Sequence, residues 1–455
     1  MTPQNTDIPH HVSPTSIAAA PFAPSKSQST PSAIIAATLP ISEPIRLPQL
    51  PDPHTAWNRN FTLLAVATAG VGIFFGVQLT LFNNFIVDTF GIDPDELGAM
   101  EALREVPGML NVLLIALLAR RSLSVMGCVM LVIMGAGLMA YSRVDTIVAL
   151  AVFSFIWSIG FHGWVPLSQS MALRFSPPGD KGKWLGQLRS VESIALLTAV
   201  SICIITLRSF DYAGLFIFAG GITILGGLAL LGAKRQGHLA PEKGFVFKRR
   251  YRLYYALNFL QGFRKQMFIT FAIFALVKVH EVHVDTIMFL VLINQALVAL
   301  TSPLMGRLVD RFGERAMLSV SYLGLIPVFV GYALFKDRST LYVLYCIDNL
   351  IFFGGIALTT YVHKIARDED LKPTLSMGVT MNHVAAVIAP LFGGIAWYYL
   401  GYQVIFFAGA AIALISLIVS QWVDPPNQMP TPAADAPPTR PHTSAWPPSP
   451  EDPPN

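Results

Sequence analysis

The sequence predicts an all-α membrane protein in which twelve transmembrane helices form two pseudo-symmetric six-helix halves. Three observations lead to this prediction. Of the 455 residues, 53% are apolar and only 13% are charged, whereas a water-soluble protein carries about 25% charged residues. Apolar runs of about 18 or more residues recur, each long enough to cross a hydrocarbon core roughly 30 Å thick. Finally, segments of the first half reappear in the second.

The apolar runs give one predicted span each, with boundaries set by polar, Gly or Pro residues. The twelve predicted spans are 61–83, 97–119, 124–142, 146–172, 185–207, 211–233, 253–277, 286–305, 316–335, 340–363, 374–397 and 402–422.

The regions outside the spans differ in composition. Residues 1–56 and 424–455 are rich in Pro, Ser, Thr and Ala, which predicts disordered tails. Residues 57–233 form the predicted N-terminal half and residues 253–423 the C-terminal half. The linker between them, 234–252, is basic. It is either a site for anionic lipid or a partner, or an ordinary linker that follows the charge rule for membrane topology.

Loop charges predict the orientation. The even-numbered connections carry 18 Lys and Arg residues and the odd-numbered ones carry 5. Basic loops stay in the cytoplasm, so both termini, both tails and the linker are predicted to be cytoplasmic. We expect a multi-pass protein of a bacterial-type plasma (inner) membrane, present as a monomer.

Several classes of function are not indicated. Cys128, Cys203 and Cys346 all fall inside apolar runs, and three cysteines in such places predict neither a disulfide framework nor a metal or redox motif. We see no phosphate-binding loop and no set of catalytic nucleophile and base. We therefore expect no enzyme activity, no cofactor, no metal site and no nucleic-acid partner.

The internal repeat is visible at two places. Residues 76–85 align with residues 262–271 and keep one Gly and two Phe in step, while residues 118–121 align with 308–311. The same register places Arg104 and Glu105 opposite Asn294 and Gln295. Polar pairs at matching depth predict equivalent positions in the two halves.

The connection between the eighth and ninth spans is short and charged. Residues 306–315 read Gly-Arg-Leu-Val-Asp-Arg-Phe-Gly-Glu-Arg, and this segment resembles the G-x-L-x-D-R-x-G-x-R loop of major facilitator superfamily (MFS) transporters. The resemblance implies the MFS fold, with a binding site between two halves near the bilayer midplane. It also implies a gate motif at Gly306, Asp310, Arg311, Gly313 and Arg315.

In this motif we expect Asp310 to face the positive N-terminal end of a neighbouring helix, that of span eleven, and to latch the cytoplasmic side. The first half reads Leu118-Ala119-Arg120-Arg121 at the corresponding loop. It lacks the carboxylate, so a symmetric latch is not expected.

Charged residues inside spans are candidate site residues, because each costs at least roughly 2.5–3.5 kcal/mol without a partner or water. On span two, Glu101, Arg104 and Glu105 share a face. On span five, Arg189 and Glu192 are three residues apart and can neutralise each other. Either set can be structural or functional.

Arg264 and Lys265 are the strongest candidates for a functional charge, because no acidic residue lies within one helical turn of them on span seven. Their positive charge must be balanced by an acidic side chain of another helix, for which Asp348 is a candidate, or by an anionic substrate. The predicted substrate-binding residues are Arg264, Lys265, Arg104, Glu105, Asp348, Gln78, Asn294 and Asn382.

Proton coupling has its own candidates. Histidine titrates near neutral pH, so His383 or His162 can carry a proton, or each can be a neutral hydrogen-bonding group between helices. Glu105 is the rival carrier. The predicted coupling pair is Glu105 and His383.

The expected function is a secondary active transporter that moves a small anionic or zwitterionic solute by alternating access, with protons as a candidate coupling ion. One alternative is a non-transporting protein of the same fold that assembles another membrane complex. Another is a lipid or amphiphile translocator.

Overall fold

The computed structural model of the protein describes residues 58–110, 121–177, 180–207, 209–233, 247–351 and 354–423. These residues form thirteen α-helices and contain no strand. The helices are α1 Arg59–Phe90, α2 Pro94–Met109, α3 Leu123–Ala140, α4 Ile147–Phe175, α5 Lys181–Thr206, α6 Tyr212–Ala229, α7 Arg252–Lys278, α8 Val284–Phe312, α9 Glu314–Leu334, α10 Arg338–Ile351, α11 Gly354–Ile365, α12 Asp368–Leu400 and α13 Tyr402–Ser420.

The helix ends follow from local chemistry. The Asn58 side chain accepts a hydrogen bond from the backbone N–H of Phe61 and so caps α1. At the other end, Gly91 adopts the left-handed conformation (φ 61°) that a residue with a Cβ disfavours. Asp93 and Glu96 then form a capping box that starts α2. The turn between α1 and α2 is therefore encoded locally.

Nine helical stretches within the described residues are long and apolar enough to cross a membrane by length and composition. The chain is thus an integral multi-pass membrane protein. Helix α7 is also long enough, at 27 residues, but it falls outside the nine because it carries many polar side chains. Several of these, including Gln261, Arg264 and Gln266, are buried against other helices.

The two halves pack in the same way. Helix α1 packs against α5 and α6, and α7 packs against α12 and α13 at the corresponding positions of the second half. Gly76 and Gly262, which the sequence repeat aligns, have equivalent roles. A Cβ on Gly76 would approach α5 at Ala199, and one on Gly262 would approach α12 at Asn382. The predicted repeat is therefore reproduced in the packing.

Some predicted boundaries differ from the structure or lie outside it. The second span was predicted at 97–119, but α2 ends at Met109 and residues 111–120 lie outside the described residues. The tenth predicted span, 340–363, falls within one apolar stretch, Arg338–Ile365. The structure describes this stretch as α10 and α11, on the two sides of residues 352–353, which lie outside the described residues. Both predicted tails and residues 234–246 of the linker lie outside the described residues as well.

The end of the linker that the structure describes contacts the second half. Lys248 donates a hydrogen bond to Asp370 at the start of α12. The same carboxylate accepts a hydrogen bond of 2.9 Å from the Tyr251 hydroxyl. The Asp370 contact raises the pKa of Lys248. These contacts fix the chain where it enters α7.

The halves meet mainly through α2 and α12. A Cβ on Gly98 would lie 2.2 Å from the Pro390 carbonyl oxygen, and one on Gly394 would lie 2.3 Å from the Pro94 carbonyl oxygen. Only glycine permits such backbone contact, so α2 and α12 are held together at this level of the bundle.

We call the end of the bundle that carries residues 91–93 and 279–283 the Lys278 end. Here Lys278 Nζ donates hydrogen bonds to the carbonyl oxygens of Gly91 (2.6 Å) and Ile92 (2.9 Å). Asn84 donates to the Val282 carbonyl oxygen at 3.3 Å. These contacts join the first half to the second, so the bundle is closed at the Lys278 end.

Candidate functional site

A cavity of about 190 Å³ lies between the halves, and we call it the central cavity. Its walls come from α1 and α2 of the first half and from α7, α8 and α10 of the second. Its polar lining residues are Gln78, Asn83, Glu101, Arg104, Thr270, Asn294, Gln295, Tyr345 and Asn349. Several of these lie within two or three turns of the Lys278 end of their helices, so the cavity sits directly beneath the closed end.

The wall formed by α2 presents an ion pair. Glu101 and Arg104 are three residues apart and form a salt bridge, with side chains 5% and 14% exposed. The Arg104 guanidinium also lies 5.4 Å from the centre of the Trp157 ring, which adds a cation–π contact. The central cavity therefore offers a carboxylate and a guanidinium side by side.

Arg264 and Asp348 form a second ion pair, at 3.0 Å, between α7 and α10 of the second half. Their side chains are 1% and 5% exposed, and neither residue is among those that line the central cavity. Of the two partners considered for Arg264, the geometry favours the neighbouring helix over a solute.

Lys265 has a different environment from Arg264. Its side chain is half-buried, and no described residue forms an ion pair or hydrogen bond with it. It interacts electrostatically with Glu105 across the boundary between the halves. Lys265 is thus a positive charge close to the first half's α2.

Near mid-depth of the bundle, three side chains from three helices come together, and we call them the His–Glu cluster. Glu105 lies on α2, His162 on α4 and His383 on α12. One ligand-type atom from each lies within 4.8 Å of the others. His383 Nδ1 is 3.0 Å from Glu105 Oε2, and the two imidazole rings are centred 5.0 Å apart.

Two neighbours shape this cluster. His162 Nδ1 lies 3.0 Å from both the carbonyl oxygen and the hydroxyl oxygen of Ser158. The Ser158 hydroxyl donates to the Arg104 carbonyl oxygen, so both Ser158 oxygens can accept from Nδ1, and a donor at Nδ1 leaves the lone pair on Nε2. Gly108 provides the room for both rings, because a Cβ there would lie 2.6 Å from His162 Nε2 and 2.6 Å from His383 Cε1. Both ring edges therefore face the same point.

Residues 254–448 match the family model described as Major Facilitator Superfamily. The match lies in the second half of the chain, and over these residues the sequence is similar to that superfamily. Its fold agrees with solved transporters of low sequence identity. The nucleoside transporter NupG has a TM-score of 0.67 at 14% identity, with 80% of this chain and 98% of that chain covered.

Two further structures have the same fold. The bacterial homologue of the human lysosomal transporter Spinster, in an inward-facing and occupied conformation, has a TM-score of 0.64 at 16% identity and covers 80% of this chain and 96% of its own. The D-xylose–proton symporter has a TM-score of 0.65 at 13% identity, covering 82% and 99%. A search of curated proteins found no significant match.

The superfamily motif lies at the end of the bundle opposite the Lys278 end. Gly306 is in the last turns of α8, and Gly313 links α8 to α9 with φ 81°, a conformation that favours glycine. Asp310 and Arg311 are exposed. No described residue forms an ion pair or hydrogen bond with Asp310. The expected latch between Asp310 and the start of α12 therefore stays a prediction.

The exposed Arg315 donates a hydrogen bond to Gln421 Oε1 at 3.5 Å, within the second half. At the same end of the bundle, Lys364 pairs with the buried Glu314 at 2.6 Å. This pair joins α11 to α9, and the sequence reasoning did not predict it because the two residues are 50 positions apart.

Of the remaining predicted site residues, Gln78 and Asn294 line the central cavity. Asn382 does not appear among its lining residues; its side-chain amide donates to the Asn258 carbonyl oxygen at 3.5 Å. The structure adds Glu101, Thr270 and Tyr345 to the polar wall. The three-residue spacing of Glu101 and Arg104 was the signal for the first, whereas nothing in the sequence distinguishes the other two.

Proposed function

We propose that the protein is a secondary active transporter that moves a small zwitterionic solute across the membrane by alternating access. The observation that carries this proposal is the Glu101–Arg104 pair in the wall of the central cavity. A solute with an ammonium and a carboxylate group can bind both side chains at once. Such paired, charge-assisted hydrogen bonds are stronger than neutral ones.

The rest of the cavity suits a small polar solute. Its side-chain amides and the Thr270 hydroxyl can donate and accept hydrogen bonds without adding charge. A volume of about 190 Å³ corresponds to roughly six waters at ~30 Å³ each. An anion alone would find Arg104 already neutralised by Glu101, which is why we favour a zwitterion over an anion.

Alternating access requires that one end of the bundle close while the other opens. The interhalf contacts of Lys278, Asn84 and Gly98 support closure at the Lys278 end. By the loop-charge rule this end faces outward, with both termini in the cytoplasm. We propose that solute leaves the central cavity towards the motif end and the cytoplasm.

Protons are the proposed coupling ion. Glu105 and His383 belong to different halves and lie 3.0 Å apart, so a proton shared between them would be sensitive to separation of the halves. The D-xylose–proton symporter, which has the same fold, is named for the same kind of coupling. Vesicles that contain a pH-sensitive dye should report proton entry with solute, and Glu105→Gln should abolish it.

The test of the solute class is binding and uptake by purified protein in vesicles. A zwitterionic amino acid is compared with its ester, which is a cation, and with its N-acetyl form, which is an anion. We expect only the zwitterion to bind. Arg104→Gln and Glu101→Gln should each weaken binding at least tenfold, while the exposed control Arg189→Gln should have no effect.

Different outcomes point to different functions. If the N-acetyl anion binds best and Glu101→Gln tightens it, the solute is an anion. The assembly-factor alternative is supported by the self-neutralised pair Arg264–Asp348. Co-purification of a second membrane protein, with no solute bound to wild type, would establish that alternative and overturn the transport proposal.

A further inference from the structure

The His–Glu cluster has a ligand set typical of transition-metal sites. Two imidazoles and one carboxylate are the protein ligands of many zinc and iron centres. Metal bonds of about 2.0–2.2 Å place two ligand atoms roughly 3.3 Å apart in a tetrahedron. His383 Nδ1 and Glu105 Oε2 are already 3.0 Å apart, so two of the three ligands need no rearrangement.

The third ligand is oriented by its own hydrogen bond. His162 Nδ1 lies 3.0 Å from the Ser158 carbonyl oxygen, and backbone carbonyls commonly orient metal-binding histidines in this way. Its Nε2 faces the point between the rings that Gly108 leaves open. All three ligand atoms lie within 4.8 Å, so a movement of about 1.5 Å at His162 would complete a tetrahedral arrangement.

The cluster is also accessible. The side chains of His383 and Glu105 are 21% and 15% exposed, and only His162 is fully buried. A metal ion can thus approach from the space between the halves, and a fourth position remains free for water or a solute. Structural zinc sites are closed by four protein ligands, whereas sites with three are open.

We propose that Glu105, His162 and His383 bind a divalent transition-metal ion of the kind that prefers imidazole, with Zn²⁺ as the representative. The ion replaces the proton between His383 and Glu105, since ligands must be deprotonated to bind metal. The binding proposal does not depend on the transport proposal, because it concerns the purified protein alone.

The nearby charges set the strength of the site. Glu105 supplies one negative charge, and the charge of Arg104 is balanced by Glu101. Lys265 interacts with Glu105 and opposes a dication. Removing this charge with Lys265→Gln should therefore tighten metal binding by about fivefold, as expected for one unit charge acting through an effective dielectric constant of about 20 or more.

The position of the site has a consequence for movement. Two ligands belong to the first half and one, His383, to the second. A bound ion therefore holds the halves together at mid-depth. This part of the inference rests on the proposed function: Zn²⁺ should inhibit solute uptake, and His162→Gln, which leaves the Glu105–His383 coupling pair in place, should remove that inhibition.

The test is metal binding to the full-length chain, purified with an affinity tag that contains no histidine. Zn²⁺ is titrated calorimetrically and Co²⁺ by its visible absorption. We expect one equivalent bound per chain. His162→Gln, His383→Gln and Glu105→Gln should each weaken binding by roughly a hundredfold or more, because losing an outer-shell partner alone costs ten- to hundredfold.

Three controls make the result decisive. The tail contains His10 and His11, an adjacent pair that can bind metal by itself, so the variant with both changed to Ala should bind Zn²⁺ as wild type does. The metal-free thermal unfolding of each ligand variant shows whether it is folded. Lys265→Gln keeps all three ligands and must still bind.

The proposal is overturned if wild type binds no Zn²⁺, if folded ligand variants bind as tightly as wild type, or if the tail variant alone loses binding. Metal binding without inhibition of uptake would keep the site but overturn its role in holding the halves. If metal-free wild type takes up no solute but binds Zn²⁺ in the titration, the transport proposal is overturned and the metal site is kept.

Discussion

Changing Asp348 to Asn removes one charge from a buried ion pair and leaves the shape of the side chain almost unchanged. The Arg264 guanidinium, 1% exposed and 3.0 Å from the carboxylate, would then have lost its counter-charge. Two unit charges about 4 Å apart in an effective dielectric constant of 20 attract by ~4 kcal/mol. Breaking a buried pair by removing one partner costs about 3–5 kcal/mol in measured proteins. We therefore expect Asp348→Asn to lower the free energy of unfolding by about 3–5 kcal/mol.

The chain offers a matched control on its surface. Arg189 and Glu192 have the same 3.0 Å separation, but their side chains are 80% and 27% exposed. Exposed pairs contribute about 0–1 kcal/mol, so Glu192→Gln should change stability by no more than that. The measurement is equilibrium unfolding in mixed detergent micelles at increasing SDS fraction, followed by helical circular dichroism.

A double-mutant cycle separates pairing from packing. Arg264→Gln/Asp348→Asn replaces both charges by amides that can still form a hydrogen bond, so it should recover a large part of the loss. The reasoning is refuted if Asp348→Asn costs no more than Glu192→Gln, or if the two single changes simply add.

Three further changes test the arrangement of the halves. Gly98→Val would place a Cβ 2.2 Å from a carbonyl oxygen of α12 and should lower the free energy of unfolding by about 1–3 kcal/mol or more. The control Gly221→Val, where the space around the residue is open, should have little effect; both are measured by the SDS unfolding titration described above. Lys278→Met removes the hydrogen bonds to the carbonyl oxygens of residues 91 and 92. Amide hydrogen exchange in this turn should speed up roughly fivefold, which corresponds to a loss of about 1 kcal/mol. Unchanged exchange would show that other contacts hold the Lys278 end. Asp310→Asn should change the free energy of unfolding by no more than about 0.5 kcal/mol, because the side chain is exposed. If Asp310 closes the cytoplasmic side during the transport cycle, the same change should slow solute uptake in vesicles. Equal uptake rates would exclude this role for Asp310.

Much of the fold could be predicted from the sequence, because a bilayer restricts what an apolar chain can form. Runs of apolar residues must become helices that satisfy their own backbone hydrogen bonds. The superfamily motif at residues 306–315 and the repeat of residues 76–85 in 262–271 then placed the helices in two halves. The long apolar helices of the structure agree with this prediction.

The candidate site was predicted less completely. Helical spacing identified the Glu101–Arg104 and Arg189–Glu192 pairs, because residues three apart share a helix face. The titration of histidine near neutral pH identified Glu105 and His383 as the predicted coupling pair and His162 as an alternative proton carrier. It predicted no metal site, because the three lie on different helices and no spacing along one helix connects them.

By itself the sequence determined that this is a multi-pass membrane protein, that residues 306–315 resemble the loop of major facilitator superfamily transporters, and that α2 and α7 carry charges that must be balanced inside the bundle. Only the tertiary structure decided which side chains balance these charges. It paired Arg264 with Asp348, 84 positions away, and brought Glu105 to His383, 278 positions away. The physical reason is that contacts within one helix follow from a fixed rise and turn, whereas contacts between helices depend on the rotation and depth at which two helices pack. Close glycine contacts such as that of Gly98 set this packing, and no pattern along the chain encodes it.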